Sequence, residues 1–160
     1  MVFGGGRRGL MGAAADAALA SGGRVVGVIP ASLQRREQSY APIALSELHV
    51  VKSMHARKAM MARLSEGFLA LPGGFGTLEE LCEMTTWTQL GIHAKPVVLV
   101  NVHSYFDPLL AMFDRAVTCG FLDAEQRALV LSGPTPSAAL RLMERFVPTA
   151  IQRRIDLEEA

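Results

Sequence analysis

Cysteine is scarce in this chain. Two occur in 160 residues, Cys82 and Cys119, far apart and both inside helical patterns. That argues against a disulfide scaffold and for a reduced, cytoplasmic setting. An excess of charge of one sign is also missing. Sixteen Lys and Arg stand against fifteen Asp and Glu, and half the residues are hydrophobic. Such a chain is neither disordered nor marked by a nucleic-acid-binding stripe. Long apolar runs are absent: none approaches the roughly 20 residues that span a bilayer. Arg7-Arg8 ahead of the alanine-rich run Gly9 to Ala20 has the outline of a signal peptide. The run is weakly apolar, carries Asp16 and leads into a strand pattern without a cleavage boundary, so export is not expected. There is no internal repeat, no zinc spacing, no catalytic-triad pattern and no Gly-x-x-x-x-Gly-Lys-Ser/Thr, which argues against nucleoside triphosphate hydrolysis. The dinucleotide fingerprint has only a loose echo at Gly4, Gly6 and Gly9. The acidic residue it needs about 20 residues on is missing. Nothing reads as a pyridoxal-phosphate site, and no metal or organic cofactor is expected.

What is present centres on Phe68 to Leu81, FLALPGGFGTLEEL. Phe68 to Leu71 has the length of a buried strand and stops at Pro72. Gly73, Gly74 and Gly76 follow, and a helical pattern opens at Thr77. A strand, a glycine loop and a helix N-terminus together make a phosphate-binding geometry. Glycines let the backbone come close, and the first-turn N–H groups point at the anion. A bare tight turn is the alternative. Thr77-x-x-Glu80 has capping-box spacing, which gives both residues a structural role. Glu79 is not explained that way: it either favours the helix dipole or acts on a substrate.

Other elements alternate along the chain. Met1-Val2-Phe3 reads as the end of a strand running into Gly4-Gly5-Gly6, a second glycine loop. Gly9 to Ser21 reads as a helix with Leu10, Ala13, Ala14, Ala17 and Ala18 at helical spacing. Arg24 to Ile29 is a β-branched strand, residues 31 to 46 are polar and loop-like, and Leu48 to Val51 is a short strand. From about Ser53 to Leu64 a helix places Met54, Arg57, Lys58 and Met61 on one face. If that face is buried, the cations need an anionic partner. If Ala56, Met60 and Leu64 are buried instead, Arg57 and Lys58 are solvated. The central helix continues to about Leu90 with Leu78, Leu81, Cys82, Thr85 and Thr86 along one side. Val97 to Val102 suits a parallel sheet buried on both faces. Helices at about Tyr105 to Thr118, after Asp123, and from Pro134 or Pro136 to about Phe146 complete the pattern. His93 and His103, at strand flanks, read as structural. The fold class is α/β, a Rossmann-like doubly wound parallel sheet with helices on both faces. Residues 1–148 are expected to form one nucleotide-binding domain, and 149–160 a charged tail.

PGGFGTLEE at Pro72 to Glu80 resembles the signature PGGxGTxEE of the Lonely Guy (LOG) family. GGGRRGLMG at Gly4 to Gly12, GGRVVGVIP at Gly22 to Pro30, MHARKAMM at Met54 to Met61 and TWTQLGIHAKPVVLVN at Thr86 to Asn101 resemble family blocks in family order. The family's proteins are cytokinin riboside 5'-monophosphate phosphoribohydrolases, which also carry the label lysine decarboxylase. The resemblance implies hydrolysis of the N-glycosidic bond of a nucleoside 5'-monophosphate, a cytokinin riboside monophosphate or AMP, to free base and ribose 5-phosphate. It implies Glu80 or Glu79 as the catalytic carboxylate and Arg57 as a substrate-holding or leaving-group residue. Lys58 would support charge, and Gly73, Gly74, Phe75, Gly76 and Thr77 would bind phosphate, with Gly5 and Gly6 in a second cradle. Glu37 and Thr86 would contact substrate. Where the family usually has Pro-Arg-Glu, this chain has Arg35-Arg36-Glu37. A homodimer is implied as well, with no nucleic-acid or membrane partner. The alternative is a non-catalytic nucleotide- or cofactor-binding protein on the same scaffold. The family's first strand and helix, with a Gly-Ser-Ser loop, have no counterpart here, and Met1 stands where a strand residue is expected.

Overall fold

The computed structural model describes residues 1–34 and 45–148. The expected tail and Glu37 lie outside these residues. The chain divides into two compact units, one from Met1 to Ser65 and one from Glu66 onward. In both units every strand pairing is parallel and strands alternate with helices, so the fold is α/β and Rossmann-like. No helix among the described residues is long and apolar enough to cross a membrane.

The first unit runs β1 (Val2–Phe3), α1 (Gly9–Ala20), β2 (Val26–Pro30), α2 (Ala31–Gln34), β3 (Glu47–Val51) and α3 (Met54–Leu64). Its sheet has the order β1-β2-β3, with Val2 opposite Val26 and Val26 opposite Glu47. Phe3, Ala15, Val25 and Leu45 form one buried cluster, joined by Met11, Ala18, Leu19 and Leu48. The expected α1 stripe is displaced: Gly12 and Ala15 are buried, whereas Leu10 and Ala13 are exposed. A helix this rich in alanine has little amphipathic contrast, so its period says little about which face packs. Gly12 lies against the chain that enters the helix, where a Cβ would sit 2.0 Å from the Arg7 carbonyl oxygen. The expected loop over 31–46 opens with the one-turn α2.

The second unit runs β4 (Phe68–Ala70), α4 (Phe75–Gln89), β5 (Val97–Val100), α5 (Asp107–Thr118), α6 (Ala124–Arg127), β6 (Val130–Gly133) and α7 (Pro136–Glu144), with a 3-10 turn at Val102–Ser104. The sheet order is β4-β5-β6. Central β5 is buried at all four residues, as a parallel strand covered on both faces must be. Val98 and Val100 pack with Ala139 of α7. The short α6 is closed by a capping box between Asp123 and Gln126. On α4 the buried residues are Leu81, Met84 and Thr88, while Cys82 and Thr86 of the expected stripe are exposed.

His93 is buried in the turn between α4 and β5. Its ring lies tilted against Phe68 with centroids 5.1 Å apart and meets Trp87 edge-on. Its Nδ1 accepts from the Lys95 N–H at 3.3 Å, which leaves the proton on Nε2. Burial, and secondarily the Lys95 charge, lowers its pKa from 6.5 to about 4. Between those values the unfolded chain holds a proton that the folded chain does not, so acid favours unfolding. The contribution is complete above pH 6.5 and disappears as pH falls toward 4. After solvent screening it is worth about 2 kcal/mol. Unfolding free energies from urea titration at about pH 7 and about pH 5 should differ by roughly half of this amount, and His93→Phe should remove that part of the difference.

Candidate functional site

Two loops follow strand ends and open onto helices, one in each unit. In the first unit β1 runs into Gly4, Gly5 and Gly6, all buried. Gly5 has φ 76°, a left-handed conformation that requires glycine here because a Cβ would also press on Ile29 at 3.2 Å. Gly4 is glycine for a different reason. A Cβ there would lie 1.7 Å from Arg57 Nη2, so the guanidinium occupies the space that a side chain would take.

Arg57 comes from the first turn of α3, whose N-cap Ser53 accepts from the Ala56 N–H at 3.1 Å. Arg57 is 6% exposed and Lys58 7%. The sequence left two faces of α3 open, and the structure buries the basic pair, while Met54 of the same face and Leu64 of the other are both exposed. Among the described residues Arg57 Nε has no hydrogen-bond partner. Nη1 reaches, among the described residues, only the thioether of Met54 at 3.8 Å, a weak acceptor. A buried guanidinium with incomplete hydrogen bonding costs several kcal/mol unless an anion completes it. Arg7 and Arg8, beside the same loop, are exposed.

In the second unit β4 leads through Pro72 and Gly73 into α4. The helix starts at Phe75 with Gly74 as its N-cap, two residues earlier than the expected opening at Thr77. Thr77 is therefore in the third helical position and forms no capping box with Glu80, and both glutamates fall in the second turn. Glycines read as loop, yet the first turn of a helix tolerates them because its N–H groups have no intrahelical partner in any case. A glycine N-cap offers no side-chain acceptor, so the N–H groups of Phe75, Gly76 and Thr77 keep the capacity to bind an anion. A Cβ at Gly74 or Gly76 would meet nothing within 4 Å, whereas one at Gly73 would lie 2.1 Å from Thr77 Oγ1. The Thr77 hydroxyl thus lies directly on Gly73. Phe75 projects outward, 91% exposed.

Glu80 is half-buried and Glu79 exposed. Thr77 and Glu80, three residues apart, share the helix face turned to the glycine loop. Exposed Thr86 donates to the Cys82 carbonyl at 2.7 Å. Burial and the Glu79 carboxylate push the Cys82 thiol up, which keeps it protonated and a poor nucleophile. Among the described residues no three His, Cys, Asp or Glu side chains gather at a metal-binding spacing.

One contact at this loop has no signal in the sequence. Tyr105 donates its hydroxyl to the Gly73 carbonyl at 2.7 Å. It follows a turn in which His103 and Ser104 take φ 52° and 58°. Neither is glycine, so nothing in the residue types marks a left-handed turn there.

Comparison with known proteins agrees with the motifs. Residues 11–143 match the family model described as "Possible lysine decarboxylase". The chain is 52% identical over 146 residues to a rice protein named as a probable cytokinin riboside 5'-monophosphate phosphoribohydrolase, LOGL1, covering 91% of this chain and 65% of that one. It is 48% identical over 148 residues to rice LOG, covering 92% and 60%. To Arabidopsis thaliana LOG4 it is 47% identical over 148 residues, covering 92% and 68%. It therefore spans roughly three-fifths to two-thirds of the length of these relatives. With the family model matched over most of its length and about half the aligned positions identical to these proteins, the chain belongs to the Lonely Guy family.

Proposed function

We propose that this protein hydrolyses the N-glycosidic bond of a nucleoside 5'-monophosphate, water adding to the ribose C1 as the base departs, to give free base and ribose 5-phosphate. The observation that carries this reading is Arg57, a buried guanidinium set against Gly4 at the end of a parallel strand, with Nε lacking a partner among the described residues. It supplies a fixed positive charge where α/β sheets of this kind bind ligands, beyond the carboxyl ends of their strands. The loop Gly73 to Thr77 supplies backbone N–H donors suited to the 5'-phosphate. The relatives are named for this activity on cytokinin riboside monophosphates, and the same chemistry serves AMP.

Residue roles follow the motif positions. Glu80 stabilises the oxocarbenium-like transition state and activates water. Its neighbour Glu79 is the alternative carboxylate. Arg57 holds the substrate and assists the leaving base, with Lys58 adding charge. Gly5 and Gly6 form the second cradle, and Glu37 and Thr86 contact the substrate. No cofactor takes part. We read residues 1–148 as carrying this one activity, in a homodimer in the cytoplasm.

The 5'-phosphate is the handle in this reading, so AMP is cleaved and adenosine is a poor substrate. We expect removal of the phosphate to lower kcat/KM by about a hundredfold or more. Chromatographic assay of adenine from the two compounds checks this. Equal cleavage of both would overturn the phosphate assignment, and binding of AMP without release of adenine would make the chain a nucleotide-binding protein.

A further inference from the structure

We propose that Tyr105 is a positioning residue for the glycine loop, its hydroxyl fixing the Gly73–Gly74 peptide so that the Gly74 N–H is held as a donor to the ligand's phosphate. The inference rests on the reading of Gly73 to Thr77 as a phosphate cradle. In a trans peptide the carbonyl and the following N–H point in opposite directions. With the Gly73 carbonyl held by Tyr105 at 2.7 Å, the Gly74 N–H must face away from Tyr105. A peptide between two glycines can otherwise flip at little steric cost. A flip would turn a carbonyl, which repels an anion, to where the N–H should be. On the Gly74 side the space is open, since a Cβ there would meet no atom within 4 Å.

Several groups hold Tyr105 in place. At the end of β5 the Asn101 N–H donates to the Gly133 carbonyl at 2.8 Å. The Asn101 side chain accepts from the Phe106 N–H and donates to Asp107, both at 2.7 Å. Hydrogen bonds from Asn101 and Ser104 keep the Asp107 carboxyl below its usual range, hence charged at the start of α5. Between these anchors His103 and Ser104 are both left-handed, an arrangement that β-carbon sterics disfavour. The Tyr105 ring meets the buried Phe106 edge-on at 5.0 Å. The chain thus bends sharply, at a conformational cost, and the outcome is one hydroxyl on one carbonyl of the glycine loop. Tyr105 is half exposed, so burial of its ring is not what the bend achieves.

Tyr105→Phe removes the hydroxyl and keeps the ring contact. Calorimetry with ribose 5-phosphate as the probe should show affinity about tenfold weaker than in the unaltered chain, with adenine affinity unchanged. Amide exchange should quicken at Gly74 to Thr77 and nowhere else in the second unit. Unchanged ribose 5-phosphate affinity overturns the inference, as does exchange that quickens throughout the unit, the mark of a structural role alone. An unaltered chain that binds ribose 5-phosphate but releases no base refutes the proposed hydrolysis, and the weaker binding of the variant then still supports the positioning role. An unaltered chain that does not bind ribose 5-phosphate overturns both the cradle and this inference.

Discussion

Glu80→Gln should lower base release from AMP by about three orders of magnitude while leaving the fold intact. Glutamine matches glutamate in size and can still form hydrogen bonds. It cannot carry the negative charge that stabilises an oxocarbenium-like centre, nor take a proton from water. The sequence offers two adjacent carboxylates, which differ in exposure. Glu80 is half-buried and lies on the same helix face as Thr77, whose hydroxyl rests on Gly73. Glu79 is exposed, and its charge acts on Cys82. Glu79→Gln should therefore cost less than about tenfold, within the range of a helix-surface charge. A large loss at Glu79 with little at Glu80 would reverse the assignment.

Gly4→Ala should lower kcat/KM by about a hundredfold, a large effect for one added methyl group. Its Cβ would stand 1.7 Å from Arg57 Nη2, closer than any two nonbonded atoms approach. The atom that must yield is the far end of a flexible side chain, so the guanidinium moves and the backbone stays. Thermal unfolding should change by only a few degrees. Arg57→Ala should cause at least as large a loss. The two changes act through one group, so the double variant should be no worse than Arg57→Ala alone. Losses that multiply would show that Gly4 matters for some reason other than the placement of Arg57.

Much of this architecture was legible in the sequence, for identifiable reasons. Val97 to Val100 is an unbroken apolar run, and such runs arise where a parallel strand is covered on both faces. Asp123 is an N-cap residue type, so the sequence marks where the short α6 opens. The burial of Arg57 and Lys58 was an open question. A helix that carries both cations and methionines on one face does not reveal which face meets the sheet. α4 starts ahead of the position its residue types predict, because Gly74 and Gly76 have poor helix propensity and propensity says little in a turn whose N–H groups are unpaired anyway. Tyr105 was out of reach altogether. Its contact with Gly73 spans 32 residues and depends on two left-handed residues that are not glycine.

The most direct measurement of the central claim is chromatography of the products formed from AMP and from isopentenyladenosine monophosphate, with Glu80→Gln and Arg57→Ala alongside. Free base and ribose 5-phosphate in equal amounts from at least one substrate, lost in both variants, is the predicted result. Nucleotide that binds and is recovered whole, or base release that survives both substitutions, would contradict it.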